Sequence, residues 1–330
     1  MAPSAQAIQA AVEAAHASGV AKTSGDNASY IPYLASVPSH LFGVAVMTAD
    51  GRLFKAGEVD YGFALESISK VFTLALVTEL IGSEAVRKKV GTSPTGLPFN
   101  SVMALELHNG KPMSPLVNAG AIATASLVPG KTADECWAKI LDMQSRFAGR
   151  KIALSDEVNR SEQTTNFHNR AIAWLLYSAK TCYSDPMRAV DVYTRQCSTL
   201  VTTIDLATMG ATLAAGGVNP VTKQQVIATD NVPHVLAEMT MEGLYTASGE
   251  WAYSVGLPGK SGVGGGIMAV SPGKLAIAAF SPPLDPVGNS VRAQFAIALI
   301  AERLRLNIYA VNNCAQARGH SIQPQLETSA

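Results

Sequence analysis

Residues 64–80 read ALESISKVFTLALVTEL, an apolar run of helical length with a lysine near its head. A helix with so little polar surface has to be covered on nearly every side. An ammonium buried that way is costly unless it is paired or gives up its proton. Lys70 therefore demands a specialised environment, and Ser67, one turn before it, shares that environment. Residues three apart meet only on a helix. The same S-x-x-K spacing recurs at Ser271-Pro272-Gly273-Lys274, but Pro-Gly makes that copy a turn, where the two side chains do not converge.

A serine hydroxyl attacks an amide only with a base beside it. Lysine serves as that base when neutral, and its ordinary pKa is about 10.4. Being half deprotonated near pH 7.5 requires a drop of roughly 3 units, worth about 4 kcal/mol. Burial beside Val71, Phe72 and Leu74 pushes that way, and a second cation nearby adds to it. Lys260, in GLPGKSGVGGG, is the candidate for that cation. Lys260-Ser261-Gly262 stands at the end of a strand, like the K-[ST]-G element that accompanies S-x-x-K nucleophiles. Two rival readings exist. A solvated strand-end lysine remains open. A phosphate loop through Gly259-Lys260-Ser261 fails, because Ser254 stands where that motif needs glycine.

The chain has 330 residues, 48% of them hydrophobic, enough for one large domain or two intertwined ones. Its formal net charge is zero with no long basic run, which argues against a nucleic-acid partner and for a small-molecule substrate. Cys136, Cys182, Cys197 and Cys314 form no C-x-x-C pair, so neither metal ligation nor a disulfide framework is expected. Cys197 is either a nucleophile or, as is commoner, a small buried hydrophobe. The N-terminal stretch lacks the pattern of a secretory signal and no long apolar span follows. The expectation is a soluble, cytoplasmic protein.

Asp50-Gly51 and Pro272-Gly273 each separate two strand-like runs and predict hairpins. NRAIAWLLYSAK and TTIDLATMGATLAAGG read as amphipathic helices, the second stopping at Gly216-Gly217. A closing helix, SVRAQFAIALIAERLRL, places Val291, Phe295, Ala298 and Leu299 on one face. The division expected is a sheet-containing part from 1–70 and 235–310, a mainly helical part at 71–234, and a polar tail at 311–330. One antiparallel sheet would then be assembled from distant segments around an inserted helical subdomain, an α+β architecture.

Four polar clusters surround these elements. They hold Asn118 in SPLVNAGAIAT, Glu162 and Asn169 in NRSEQTTNFHNRAIAW, Tyr193 in DVYTRQCST and Tyr245 in MEGLYTASGEW. Each has a plainer alternative: a helix cap for Asn118, a surface charge for Glu162, core rings for the tyrosines. YSDPM at 183–187 is like an S-D-N element with proline in place of asparagine, and it reads as a loop.

Taken in order, SISKVFTL, VNAGAI, SEQTT, HNRAIA, QCS, TTIDLATMGATLAAGGVNP, GLPGKSGVGGGI and SPPLD resemble the serine-dependent glutaminase family. The likeness runs from about residue 29 to residue 293. It implies a β-lactamase/transpeptidase-like fold and hydrolysis of L-glutamine to L-glutamate and ammonia, with no metal or organic cofactor. By resemblance Ser67 is the nucleophile, Lys70 its base, and Tyr193 and Tyr245 aid proton movement. Val263 and Ser67 would supply the oxyanion N–H groups. Tyr30, Asn118, Glu162 and Asn169 would hold the amino-acid end, and the assembly would be a homo-oligomer, often a tetramer. His168, Ser114 and Glu242 depart from the family pattern. Two rival functions are a penicillin-recognising serine hydrolase of the same fold and a non-catalytic glutamine-binding protein. Ammonia release from glutamine against turnover of a chromogenic β-lactam separates them.

Overall fold

The computed structural model describes residues 3–310; the 311–330 tail expected from the sequence, Cys314 with it, lies outside them. Eight strands form two antiparallel sheets. They are β1 (Gly43–Thr48), β2 (Leu53–Gly57), β3 (Phe63–Ala64), β4 (Ala153–Leu154), β5 (Thr199–Val201), β6 (Gly259–Ser261), β7 (Gly266–Ser271) and β8 (Leu275–Phe280). The larger sheet runs β2-β1-β8-β7-β6, and the smaller runs β3-β5-β4. Both hairpins form where their turn pairs predict, with Gly51 and Gly273 at positive φ. The order places β1 against β8, Val44 opposite Ala279, so strands from the two ends of the chain share one ladder.

Every residue of β1, β7 and β8 is buried, so the sheet is covered on both faces. Val44, Val46, Ile267 and Ile277 meet the Ala5–Gly19 and Val291–Arg303 helices. Ala45, Met47, Met268 and Ala278 point the other way, into the core built with helix Thr203–Ala214. Thr202 and Asp205 close a reciprocal cap at the start of that helix, satisfying two otherwise orphaned N–H groups. It ends at Ala214, before Gly216-Gly217, as the sequence predicts.

Two expectations change. In helix Val291–Arg303 the inward stripe is Ala293, Ala296, Ile297, Ile300 and Ala301, with Arg292. Val291, Phe295, Ala298 and Leu299 lie on its half-buried flank. Small alanines let the helix settle onto β8 and the Ala5–Gly19 helix, whereas Phe295 takes the seam under the Lys22 ammonium. Bulk was the wrong guide to the face. Likewise YSDPM is only partly loop: Asp185 accepts the Arg188 N–H at 2.8 Å and caps helix Pro186–Cys197.

The apolar run that opens the sequence behaves as its composition demands. Residues 69 to 78 of helix Ser69–Ile81 are all buried, and Gly82 at positive φ ends it. Phe280, fully buried, stacks on Phe63 with centroids 4.2 Å apart and on Tyr61 at 5.6 Å. One aromatic stack thus ties the large sheet to the strand that leads into Ser67. Phe280→Ala is expected to destabilise the fold by about 3–5 kcal/mol, read as a lower urea midpoint at unchanged slope.

Candidate active site

Ser67 lies in the single 3₁₀ turn Glu66–Ile68 that runs into helix Ser69–Ile81, rather than in the α-helix itself. The tighter turn keeps Ser67 and Lys70 together: Lys70 Nζ donates to Ser67 Oγ at 2.8 Å and to Asn118 Oδ1 at 2.7 Å. Lys70 is 1% exposed and Ser67 7% exposed, so this pair is removed from bulk water. Burial pulls the Lys70 pKa down to about 8; negative charge on Cys197, Glu66 or Glu162 would act the other way and favour the proton. The lysine is then partly neutral near neutral pH.

Lys260 corrects one expectation. It is fully buried, donating to Gly243 O at 3.0 Å and to Ser261 O at 2.6 Å, with its ammonium 4.5 Å from the Tyr245 ring centroid. It is no solvated strand-end lysine. Nor is it the cation that depresses Lys70, which burial depresses instead. Burial and the like charge of Lys70 push Lys260 itself well below the ordinary range. Its bonds to Gly243 O and Ser261 O tie together the backbone on either side, with the Tyr245 ring beside its amine.

The sequence motifs converge on this pair. Asn118 opens helix Asn118–Ser126, yet its side chain caps nothing. Its Oδ1 accepts from Lys70 and, at 3.1 Å, from the Tyr193 hydroxyl, while its Nδ2 donates to Asn169 Oδ1 at 3.0 Å. The Tyr245 hydroxyl donates to Ser261 O at 3.3 Å and lies against Ser67. Tyr245 and Glu66 both hold positive φ, a strained backbone rarely kept without purpose. Tyr30 is 58% exposed; its hydroxyl is held above its ordinary pKa by local desolvation and by Tyr245, Glu66 and Glu162.

The turn after β6 closes over Ser67. A Cβ on Gly262 would meet Leu65 O at 2.9 Å and Ser67 N at 3.3 Å, so only glycine lets the two backbones approach this closely. Val263 follows, buried, with no backbone acceptor for its N–H among the described residues.

Cys197 is buried with its thiol pushed far up by desolvation, 3.7 Å from Ser69 Oγ. A thiolate is the nucleophile, so this cysteine is the packed hydrophobe of the two readings. Ser114 donates to buried Glu238 at 2.9 Å, Glu242 accepts the Thr95 N–H at 2.8 Å, and His168 Nε2 lies 2.6 Å from Asn100 O. Each of these three side chains thus ties its element to a distant segment of the chain.

Two residues escape the sequence reading. Phe99 packs its ring at a tilt against Tyr245, centroids 4.7 Å apart, and its carbonyl takes the Asn118 N–H at 2.8 Å. It sits in a loop with no motif. Glu66, immediately before the nucleophile, is 3% exposed. A carboxylate in so apolar a run was the signal available.

A family model described as Glutaminase matches residues 25–309. The chain belongs to the glutaminase family. A Glutaminase from Brucella canis is 72% identical over 309 residues, 94% of this chain and 98% of that one. A Glutaminase 1 from Shigella flexneri is 63% identical, over 92% of this chain and 97% of its own. A solved structure described as a probable glutaminase superposes with TM-score 0.92 at 62% identity, covering 93% of this chain and 99% of that chain. A Bacillus glutaminase crystallised in 4.3 M NaCl superposes with TM-score 0.81 at 33% identity, over 92% and 98%. The fold is the α+β architecture of these bacterial glutaminases, and the activity is hydrolysis of L-glutamine to L-glutamate and ammonia. No described helix is long and apolar enough to cross a membrane.

For this glutaminase, Cys197→Ala should leave ammonia release within about threefold of wild type, since the thiol is held in its inert neutral form. If the reaction uses the neutral amine of Lys70, whose pKa burial lowers to about 8, kcat/KM should rise as pH increases through about 8. A profile flat from pH 6 to 9 in an ammonia-release assay would contradict it.

Proposed function

We propose that the reaction runs through a γ-glutamyl ester on Ser67, with Lys70 as general base. One observation carries the reading: an amine and an alcohol 2.8 Å apart in a dry pocket, the amine depressed by burial. Neutral Lys70 takes the Ser67 proton as Oγ bonds to the substrate's side-chain carbonyl carbon. The tetrahedral intermediate collapses, the C–N bond breaks, and the proton held on Lys70 passes to the departing nitrogen, giving ammonia. Water then gives a proton to Lys70 and adds to the ester, releasing glutamate and restoring the hydroxyl.

The N–H groups of Ser67 and Val263 would steady the developing oxyanion, a contribution of about 2.7–4 kcal/mol per donor. Glu162 suits the substrate's α-ammonium; Tyr30, Asn118 and Asn169 suit its α-carboxylate end. Tyr193 and Tyr245 stay neutral, because burial raises both hydroxyl pKa values, and so remain proton donors beside the reacting centre. Ser67→Ala should cut kcat at least about 10³-fold while circular dichroism stays unchanged. Ammonia release at the wild-type rate would remove the mechanism.

We also propose that the enzyme works in the cytoplasm as a homo-oligomer, a tetramer by family resemblance. Buried reduced thiols at Cys136, Cys182 and Cys197 suit that compartment. Helix Phe167–Ser178 presents Phe167, Trp174 and Tyr177 to solvent, more aromatic surface than a lone protomer is expected to leave uncovered. Light scattering should give a multiple of the protomer mass, and Trp174→Glu should lower it.

A further inference from the structure

Glu66 is a charged residue type placed where a charge is least welcome. It occupies the 3₁₀ turn directly before Ser67, is 3% exposed, holds φ +50°, and leaves Oε1 without a hydrogen-bond partner among the described residues. The glycine turn shuts it in, since a Cβ on Gly264 would come within 3.2 Å of Glu66 Cγ. The groups facing it come from every neighbouring element. Glu162 reaches it from helix Asp156–Thr165, Lys70 from its own helix, Cys197 and Tyr193 from helix Pro186–Cys197, Tyr245 from the turn before β6, and Tyr30 from the 29–35 segment. Lys70 alone among them is a cation, and its bonds go to Ser67 and Asn118.

Two carboxyl groups in hydrogen-bonding contact cannot both ionise in a buried site. Burial and the Glu162 charge push Glu66 well above the carboxylate range; burial raises Glu162 as well, but there the contact with Glu66 and the charge of Lys70 pull back down. The proton therefore resides on Glu66 and the charge on Glu162.

We propose that Glu66 is a positioning residue working as a neutral carboxylic acid: its O–H donates to the Glu162 carboxylate, fixing that carboxylate where the substrate's α-ammonium binds, and its neutrality withholds a second negative charge from Lys70. The inference rests on the Ser67–Lys70 reading and on Glu162 as the ammonium partner. An ionised Glu66 would favour the protonated form of Lys70 and so disarm the base. The pair thus carries one negative charge, which matches one ammonium.

The test compares Glu66→Gln, which keeps a neutral donor, with Glu66→Ala, which keeps none. At neutral pH, infrared difference spectra of wild type against Glu66→Gln should show loss of the carbonyl band of a protonated, buried carboxylic acid. Glu66→Ala should raise KM for glutamine about tenfold or more while kcat changes less than about threefold, and Glu66→Gln should bring KM back to within about threefold of wild type. The pH at which kcat/KM rises should be the same in wild type and Glu66→Gln. Absence of the acid band, Glu66→Gln as damaging as Glu66→Ala, or an unchanged KM in Glu66→Ala would each overturn the proposal. Ser67→Ala measured in parallel separates the levels: turnover there sinks the underlying mechanism, whereas a dead Ser67→Ala with failed rescue by glutamine at position 66 sinks only this inference.

Discussion

The contact between the Lys70 amine and the Ser67 hydroxyl, 2.8 Å long and closed off from water, sets the terms for the surrounding structure. A lysine in bulk water stays protonated and a serine beside it stays inert. Removing water raises the cost of the ammonium and frees the amine. That removal is the work of the covered 69–78 stretch of helix Ser69–Ile81 on one side and of the 262–266 turn on the other. The hydrogen bonds from Lys70 to both Ser67 and Asn118 then aim the amine.

Those walls come from separate stretches of chain. The 3₁₀ turn carries Ser67, helix Asn118–Ser126 brings Asn118, helix Pro186–Cys197 brings Tyr193, and β6 with the turn after it brings Lys260 and Val263. The amide of Asn118 is their meeting point, touching Lys70, Tyr193 and Asn169 at once. Polar groups satisfied so completely in a buried setting give a defined geometry rather than a loose pocket. Positive φ at Glu66 and Tyr245 is the backbone strain that accompanies that geometry.

What the sequence revealed follows the reach of each signal. Ser67 and Lys70 were legible because three residues of helix suffice to bring them together, and both hairpins because two turn residues determine them. The main sheet was legible as a strategy, two distant strand pairs sharing one core, without its register. Asn118, Glu162, Asn169 and Tyr193 are different: nothing local distinguishes a site asparagine from a helix cap, so only family likeness singled them out. Phe99 and Glu66 carry no motif, and their meaning lies in what they touch. In the closing helix, side-chain size points to the wrong face, because close packing on β8 requires alanine. Lys260 is legible as a strand-end lysine but not as a buried one, because the two backbone carbonyls it binds are contacts that only the fold makes.

The place of β1 in its sheet has a consequence for how the enzyme is made. Its inner edge is completed by β8, so Val44 waits for Ala279 to be synthesised. Until then β1 and β2 form a lone hairpin, too small to be stable by itself. Synthesis must likewise pass residue 266 before the turn carrying Ser67 has its glycine cover. For that interval the unpaired β1 edge stays open to pairing with another chain.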